Sequence, residues 1–425
     1  MSNVEIACPA GTITGYQRGE VNYFHSIDYS LIPGDFEDPQ PAPPRDQDAR
    51  TPRPEAIALS ITAPAEAHDA PVVVYIHGGR YEHGTHEDAR AEGTTNAEAG
   101  IVQVQLGYRV GLAGLARFAD DEADHYRAIE DLQLGLEWVQ SNIEAFGGDP
   151  TNVTVLGQSA GANAALWLAR RDHYRGAFRR LIALSPGFPR ERFEVREPAL
   201  REALGVPVTR ESLAAMDSEK LAAGYRAFRK KYTLDMALGP APLDCSQLAE
   251  IPIVLGTTRD EFYAIPATQK VDKSFLRKLI VRHYAPRFGL SHNAFESWYQ
   301  IARYLDKERP MGRLVGDSIL RRWAVQVAEE APGPTWMIEF VGEHSPALHC
   351  AELPLLFGVD TGEPARVLNG WLQDFLRHGE PGFEQYRPDH ALWEFALDTG
   401  AQRMAHGSLD YISAAFGQGS APGLL

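Results

Sequence analysis

The sequence predicts an α/β protein built on a mostly parallel, doubly wound sheet. Short apolar runs rich in β-branched residues recur along the chain and are typical of buried strands. Segments with apolar residues at helical spacing separate most of these runs, and this alternation is typical of a parallel sheet with helices on both faces. Because no clear linker or internal repeat interrupts residues 1–425, we expect one large domain that carries insertions.

The first half of the chain carries strand patterns at short intervals. Residues 11–31 are expected to form a hairpin or edge strand, and residues 33–54, rich in Pro, Asp and Arg, an extended surface loop. Between residues 123 and 146 apolar residues recur at helical spacing, and the Gly and Pro that follow end this helix. Further strands are predicted at residues 56–62, 71–76 and 101–106.

In the second half, a strand beginning at residue 152 runs into a predicted helix of small residues at 160–168. Later strands are predicted at residues 181–187, 251–256 and 336–340, with the last of these as the final strand. A C-terminal helix is predicted at residues 369–377. Two stretches without strand patterns, at about 190–248 and 263–330, are expected to be helical insertions that form a lid.

The turn after the strand that begins at residue 152 has the pattern Gly157-x-Ser159-x-Gly161. A serine in such a turn projects its hydroxyl out of the fold, and the glycines permit close backbone approach. The helix N-terminus beneath it supplies free N–H groups and a partial positive charge, which suit a developing oxyanion. Because so short a pattern also occurs by chance, an ordinary Gly-rich turn is the alternative.

Other strand ends supply the groups that a nucleophilic serine requires. The serine needs a base, usually His, and the His needs an acid that fixes its tautomer and stabilises its charged form. Active groups in such sheets come from the carboxyl ends of strands, where Asp260-Glu261 and His349 are found. The chain order of Ser, acid and His is that of α/β-hydrolases. Gly78 and Gly79 follow an earlier strand, where oxyanion donors are expected. A tight turn would explain the pair alone, but its combination with the other three parts at strand ends favours the oxyanion role.

The motifs around these residues resemble the type-B carboxylesterase family, which includes bacterial p-nitrobenzyl esterases and the cholinesterases. The resemblance implies the α/β-hydrolase fold, serine carboxylesterase activity, and a triad of Ser159, Glu261 and His349, with Asp260 as the second candidate for the acid. Such a mechanism needs no cofactor and no metal. Matching segments lie at residues 73–79, 107–111, 131–133, 138–143, 146–150, 152–162, 256–261, 349–354 and 371–379.

Arg80 and Gln158 depart from the family pattern. Arg80 replaces a third glycine but keeps its backbone N–H, so the oxyanion donors are predicted to be Gly79, Arg80 and Ala160, with Gly78 in support. Gln158 stands where the family commonly has Glu.

These two substitutions lead to a prediction about substrate charge. With one negative charge fewer and one positive charge more near the nucleophile, the pocket should disfavour cationic esters and accept small neutral or anionic ones. The alternative is that the Arg80 side chain points to solvent and pairs with Glu82, Glu87 or Asp88.

Several other residues are candidates for supporting roles. Ser185 is expected either to support the His network or to cap a turn. The histidines of residues 83–87 lack the spacing of a zinc site and are interpreted as solvated loop residues. Cys350, beside His349, is not a credible nucleophile while Ser159 occupies the turn. The predicted substrate pocket draws on Arg80, Gln158, Tyr81, Phe118, Trp167 and Phe188.

Composition limits the partners and the compartment. The formal net charge of −16 argues against nucleic acid and anionic membranes, since both require clustered Lys and Arg. The sequence contains no apolar stretch of spanning length and no signal-peptide pattern at its N-terminus. Cys8, Cys245 and Cys350 are too scattered for a disulfide framework. We therefore expect a cytoplasmic protein that acts on a small-molecule ester, with its oligomeric state open.

Two other functional classes stay open from the sequence. The same triad serves hydrolases and acyltransferases that act on amides, carbamates or lactones. A non-catalytic interaction protein can share this fold, as adhesion-type relatives of the family do. Those relatives typically lack the nucleophile or its partners, whereas Ser159, Glu261 and His349 are all present here.

Overall fold

The computed structural model describes residues 2–240 and 243–416. Its strands are β1 (Ser2–Cys8), β2 (Gly11–Arg18), β3 (Val21–Ile27), β4 (Ser30–Leu31), β5 (Gln40–Pro41), β6 (Gln47–Asp48), β7 (Leu59–Pro64), β8 (Ala70–Ile76), β9 (Val102–Leu106), β10 (Gly148–Gln158), β11 (Arg180–Leu184), β12 (Ile253–Thr258), β13 (Thr335–Val341), β14 (Ala391–Ala396) and β15 (Gln402–His406).

Its α-helices are α1 (Thr94–Glu98), α2 (Gly111–Leu115), α3 (Arg127–Asn142), α4 (Ala160–Leu168), α5 (Phe193–Leu204), α6 (Arg210–Ala214), α7 (Ser218–Arg229), α8 (Pro266–Asp272), α9 (Arg277–Tyr284), α10 (Phe295–Leu305), α11 (Pro310–Gly316), α12 (Arg322–Glu330), α13 (Leu353–Leu356), α14 (Glu363–His378) and α15 (Asp410–Phe416). Short 3-10 segments lie at Ala89–Ala91, Ile143–Phe146, Lys230–Tyr232, Cys245–Gln247 and Ala285–Phe288, and a π segment lies at Asp317–Arg321.

One large sheet organises the described part of the chain. Its strand order is β1-β2-β3-β7-β9-β8-β10-β11-β12-β13-β14-β15, with β6 beside β2. The strands from β9 to β14 in this order pair in parallel. Antiparallel strands extend the sheet at both edges. The prediction of a mostly parallel α/β sheet is therefore confirmed.

Helices cover both faces of the sheet, and each face has its own hydrophobic cluster. In β8, Val72, Val74 and Ile76 belong to the larger cluster, whereas Val73 and Tyr75 belong to the other. Successive side chains of a strand point to opposite faces, so a strand that is covered on both faces has a continuous run of apolar residues in its sequence. This explains why the central strands were recognisable from their sequence.

Most predicted elements lie close to their predicted bounds, and the predicted helix at 160–168 is α4. The predicted N-terminal hairpin is β2–β3, with Tyr16 opposite Tyr23. The prediction that residues 336–340 form the last strand was wrong, because β14 and β15 follow. All residues of β14 are buried beside β13, whereas β15 is an exposed edge strand without an apolar pattern.

The two stretches predicted to be helical insertions contain helices in the structure. Helices α5 to α7 lie in the first stretch, between β11 and β12, and α8 to α12 lie in the second, between β12 and β13. Among residues 2–240 and 243–416, the structure has no helix with both the length and the apolar character of a membrane span.

The topology brings four strand ends to one edge of the sheet. Strands β8, β10, β12 and β13 are parallel neighbours in this sheet, apart from the intervening β11. Because the carboxyl ends of parallel strands meet at the same edge, the loops that follow these strands lie side by side. Those loops carry the candidate site residues.

Candidate active site

Ser159, His349 and Glu261 form a continuous chain of hydrogen bonds. Nε2 of His349 lies 3.1 Å from Oγ of Ser159, and Nδ1 lies 2.6 Å from Oε2 of Glu261. Ser159 and Glu261 are buried, with 5% and 3% of their surfaces exposed. With Nδ1–H donating to the carboxylate, Nε2 is free to accept the serine proton. The arrangement is therefore suited to removing that proton.

Ser159 stands in a sharp turn between β10 and α4. Its backbone has φ 56° and ψ −115°, a strained conformation for a residue with a Cβ. The flanking glycines are required by close backbone approach: a Cβ on Gly157 would lie 2.3 Å from the carbonyl oxygen of Gly161. A Cβ on Gly161 would lie 2.1 Å from the carbonyl oxygen of Ile76. Both positions of the motif therefore exclude any larger residue.

The loop after β8 runs beside the serine. A Cβ on Gly78 would lie 3.2 Å from Cβ of Ser159. Gly79 and Arg80 have φ values of +113° and +60°. Within the described residues, the backbone N–H groups of Gly79, Arg80 and Ala160 donate to no protein acceptor. These three N–H groups are therefore available to a ligand that binds at the serine.

Three donors hold the second oxygen of Glu261. Oε1 accepts hydrogen bonds from the hydroxyls of Ser185 and Thr257, at 2.6 and 3.0 Å, and from the N–H of Thr258 at 3.0 Å. Burial opposes ionisation, but His349 and these hydrogen bonds outweigh it, so the pKa of Glu261 lies below its usual value. Glu261 is therefore ionised at neutral pH, and Ser185 contacts the network rather than capping a turn.

The environment of His349 favours its protonated form. Burial lowers the pKa of the imidazole, but Cys350 and the carboxylate of Glu261 raise it, and the pKa lies above its usual value. The ring of Phe262 packs 5.5 Å from the imidazole, measured between centroids. A proton taken from Ser159 would thus be stabilised on His349.

Asp260, the second candidate for the acid, has different partners from Glu261. Oδ1 accepts a hydrogen bond from Arg313 at 3.0 Å, and Oδ2 accepts one from the N–H of Ala347 at 3.0 Å. The N–H of Asp260 donates in turn to the carbonyl of Ala347. Asp260 therefore ties the acid loop to the loop that carries His349, while Glu261 is the carboxylate that contacts the imidazole.

Comparison with known proteins is consistent with this geometry. Residues 2–203 match the model of the carboxylesterase family. The para-nitrobenzyl esterase of Bacillus subtilis is 28% identical over 341 residues, which cover 72% of this chain and 67% of that protein. The predicted resemblance to the carboxylesterase family is confirmed. The predicted enzyme class, a serine ester hydrolase, is confirmed with it.

Two further comparisons extend over most of this carboxylesterase. The fumonisin B1 esterase of Sphingopyxis macrogoltabida is 27% identical over 408 residues, or 82% of this chain and 74% of that protein. A crystal structure of a carboxylesterase from Geobacillus stearothermophilus covers 97% of this chain and 99% of its own, with a TM-score of 0.81 at 24% identity. The predicted α/β-hydrolase fold is therefore confirmed.

The Arg80 side chain of the carboxylesterase reaches towards the first helical insertion. Its guanidinium donates to the carbonyl of Asp235 at 2.5 Å, with those of Tyr232 and Thr233 at 3.4 Å. The alternative that Arg80 points to solvent and pairs with an acid was wrong. The three proposed acids have other partners: Glu82 pairs with Arg229, Glu87 with His25, and Asp88 with Arg90.

Gln158 lies against both the base and the oxyanion loop. It is fully buried, and its Nε2 lies 3.5 Å from Nε2 of His349. A Cβ on Gly78 would lie 2.6 Å from its Oε1, and this oxygen has no hydrogen-bond partner among the described residues. An uncharged amide therefore occupies the position beside the base.

The aromatic candidates fall into two groups by their contacts. Tyr81 packs against Tyr108, and Phe188 packs against Trp323 on α12. The rings in contact with Trp167 are those of Tyr126 and His173, and Phe118 packs against Phe36. Arg170 lies over the Trp167 ring, and Arg127 and Arg210 lie over the Phe118 ring. None of these ring contacts of Trp167 and Phe118 involves a triad residue, and substrate contact by all four aromatics stays a prediction.

Three features near the site were missed in the sequence. Thr257 and Thr258 hold Glu261, and the hydroxyl of Tyr108 donates to the carbonyl of His77 at 2.9 Å. Glu352 is fully buried, and its carboxyl oxygens have no hydrogen-bond partner from another described residue. Burial and the charge of Glu261 raise the pKa of Glu352 to about 7. Its place in the sequence, three residues after His349, was the available signal.

The histidines of residues 83–87 are not equivalent. His83 is exposed, but His86 is fully buried, so its interpretation as a solvated residue was wrong. Nε2 of His86 lies 2.8 Å from the hydroxyl of Ser26, and burial lowers the pKa of His86 to about 4. In the part of the chain that the structure describes, no cluster of His, Cys, Asp or Glu could hold a metal ion.

Proposed function

We propose that this enzyme hydrolyses carboxylic esters through an acyl-enzyme formed on Ser159. The hydrogen-bonded chain from Ser159 through His349 to Glu261 is the observation that carries this proposal. Oγ of Ser159 attacks the ester carbonyl carbon while Nε2 of His349 takes the hydroxyl proton. The carboxylate of Glu261 stabilises the imidazolium and keeps Nδ1–H directed towards itself.

The tetrahedral intermediate carries a negative charge on the former carbonyl oxygen. The N–H groups of Gly79, Arg80 and Ala160 bind this oxyanion, with Gly78 allowing the loop to lie close to the serine. When the intermediate collapses, the bond to the alkoxy oxygen breaks, and His349 gives that oxygen its proton. Water then attacks the acyl carbon by the same route and releases the carboxylic acid.

A panel of matched substrates tests the reaction class. We expect p-nitrophenyl butyrate to have a higher kcat/KM than the corresponding p-nitroanilide, because p-nitrophenolate leaves more readily than an aniline. Its kcat/KM should also exceed that of the matched carbamate, whose nitrogen lone pair makes the carbonyl less electrophilic, and that of a small lactone, whose alkoxide leaving group is more basic. A higher kcat/KM for one of the other compounds would assign the triad to that alternative class. Absence of turnover across the whole panel would favour a non-catalytic interaction protein.

The substrate range is proposed to be small neutral or anionic esters. Gln158 places no charge beside His349, and the cationic Arg80, whose backbone N–H is one of the proposed oxyanion donors, has its guanidinium bound by the carbonyls of the first insertion. A positive substrate group near these residues gains no ion pair and is repelled by Arg80.

This charge preference can be measured with three esters of equal size. The cationic ester is expected to have a kcat/KM about tenfold below that of its neutral counterpart, an effect of roughly one charge–charge interaction near a protein surface. Gln158→Glu should raise the kcat/KM of the cationic ester relative to that of the neutral ester. A preference of the wild type for the cationic ester would contradict the proposal.

We propose that the chain works as a single domain whose helical stretches at 190–248 and 263–330 form a lid over the site. The hydrogen bond from Arg80 to the carbonyl of Asp235 supports a covering position for the first stretch. A cytoplasmic location is proposed with it, since Cys8, Cys245 and Cys350 are all free.

A further inference from the structure

Helices α8 and α9 present a protruding apolar surface. Phe275 and Leu276, in the link between the helices, and Leu279, in the first turn of α9, are 94%, 44% and 64% exposed. Single exposed apolar residues are common, but three within five positions form a continuous patch of the kind found at interaction sites. We call the exposed surface of residues 270–287 the α8–α9 tip.

Basic residues surround these apolar side chains. Residues 266–288 hold six Lys or Arg and one acid, in a chain with a net charge of −16. The acid, Asp272, is buried and accepts the N–H groups of Met311 and Gly312. The basic residues are Lys270, Lys273, Arg277, Lys278, Arg282 and Arg287.

Part of this positive charge is not neutralised by neighbours. Lys278 and Arg282 both pair with Glu296, and Arg277 lies 3.9 Å from Glu308. Lys270, Lys273 and Arg287 form no ion pair with any described residue. The tip is therefore a local exception to the acidic character of the molecule.

The insertion that carries the tip is connected to the catalytic region by short chain segments and by packing contacts. Helix α8 begins a few residues after Glu261, and Phe262, between them, packs on His349. Asp272 at the end of α8 caps the start of α11. At the other end of α11, a Cβ on Gly316 would lie 3.2 Å from Cβ of Glu261. The insertion that carries the tip thus also covers the catalytic acid.

The net charge of the whole chain disfavours anionic membranes, but the tip supplies the clustered Lys and Arg that such a surface requires. We propose that the α8–α9 tip docks this esterase onto an anionic lipid surface. Phe275, Leu276 and Leu279 enter the boundary between headgroups and acyl chains, while Lys270 and Lys273 lie at the level of the lipid phosphates. A protruding apolar patch with a basic rim suits a deformable anionic interface, whereas a protein partner would need a matching concave surface. Repulsion between the acidic remainder of the molecule and the lipid charge orients the tip towards the surface.

The substrate class follows from this orientation and rests on the proposed esterase function. An enzyme docked through the insertion that forms its proposed lid meets esters dissolved in the bilayer, so lipophilic neutral esters are the expected substrates at the surface. Docking itself requires no catalysis, and Ser159→Ala should bind vesicles as the wild type does. Failure of the docking proposal and failure of the esterase proposal are therefore distinguishable.

Vesicle co-sedimentation tests the docking. We expect the full-length enzyme to bind vesicles of phosphatidylcholine mixed with phosphatidylglycerol, to bind pure phosphatidylcholine much less, and to lose binding as salt is raised. Two double variants should each lower the vesicle partition coefficient about tenfold or more. One combines Phe275→Ser with Leu279→Ser, and the other combines Lys270→Glu with Lys273→Glu. Activity on dissolved p-nitrophenyl butyrate should persist in both, since these side chains are exposed.

Val195→Ser is the matched control. Val195 on α5 is 60% exposed and lies in the other insertion, so its replacement should leave vesicle binding unchanged. Lack of binding to the mixed vesicles, or binding that both double variants retain, would overturn the proposal. So would a dimer in solution that Phe275→Ser with Leu279→Ser converts to a monomer, because the tip would then be an interface between two copies.

Discussion

Ser159→Ala is expected to lower kcat for p-nitrophenyl butyrate by about 10⁵-fold. The variant lacks the nucleophile, so the acyl-enzyme cannot form. The remaining rate comes from substrate binding and the backbone N–H donors, which alone supply about 10³-fold over water. The measurement is steady-state kcat and KM at saturating ester, with thermal unfolding as the test of folding.

Alanine is the informative replacement at this position. It keeps the Cβ that stands at φ 56°, whereas glycine would also relieve backbone strain. Ser141→Ala, at an exposed serine of α3, is the matched control and should keep wild-type kcat. Equally slow release of p-nitrophenol by wild type and Ser159→Ala would remove the basis for a serine esterase mechanism on this substrate class.

Glu261→Gln is expected to lower kcat by about 10⁴-fold while leaving the serine in place. The substitution removes the charge that stabilises the imidazolium, and the amide can hold His349 in the wrong tautomer. It also deprives the donors of Ser185 and Thr257 of their anionic acceptor. Asp260→Asn should cost far less in kcat, because Asp260 contacts Arg313 and Ala347 instead of the imidazole.

The pH profile of kcat/KM separates these two acids further. Activity requires neutral His349, so it is lost as pH falls through the pKa of this residue. In the wild type that pKa lies above its usual value, partly because of Glu261. The acid limb should therefore move to lower pH in Glu261→Gln and stay in place in Asp260→Asn. If Asp260→Asn lost more kcat than Glu261→Gln and showed the larger shift of the acid limb, Asp260 would be the acid instead of Glu261.

Local patterns accounted for the parts of the fold that depend on neighbours in sequence. The bounds of α4 were predicted because small helix-forming residues follow the turn directly. Strand β8 was recognisable because both of its faces are buried. In contrast, β15 was missed because it is exposed at the sheet edge, where little selects for apolar residues, and it exists through its pairing with β14.

The sequence by itself determined the Gly-x-Ser-x-Gly turn, the chain order of Ser159, Glu261 and His349, and the resemblance to the carboxylesterase family. These depend on short spacings, such as the close contacts that require Gly157 and Gly161. Only the tertiary structure decided that Glu261 rather than Asp260 faces His349, that Arg80 reaches the carbonyls of the first insertion, and that Glu352 is buried without a partner. The first two depend on which distant segments lie together, and burial depends on everything packed around a side chain, so local spacing does not encode them.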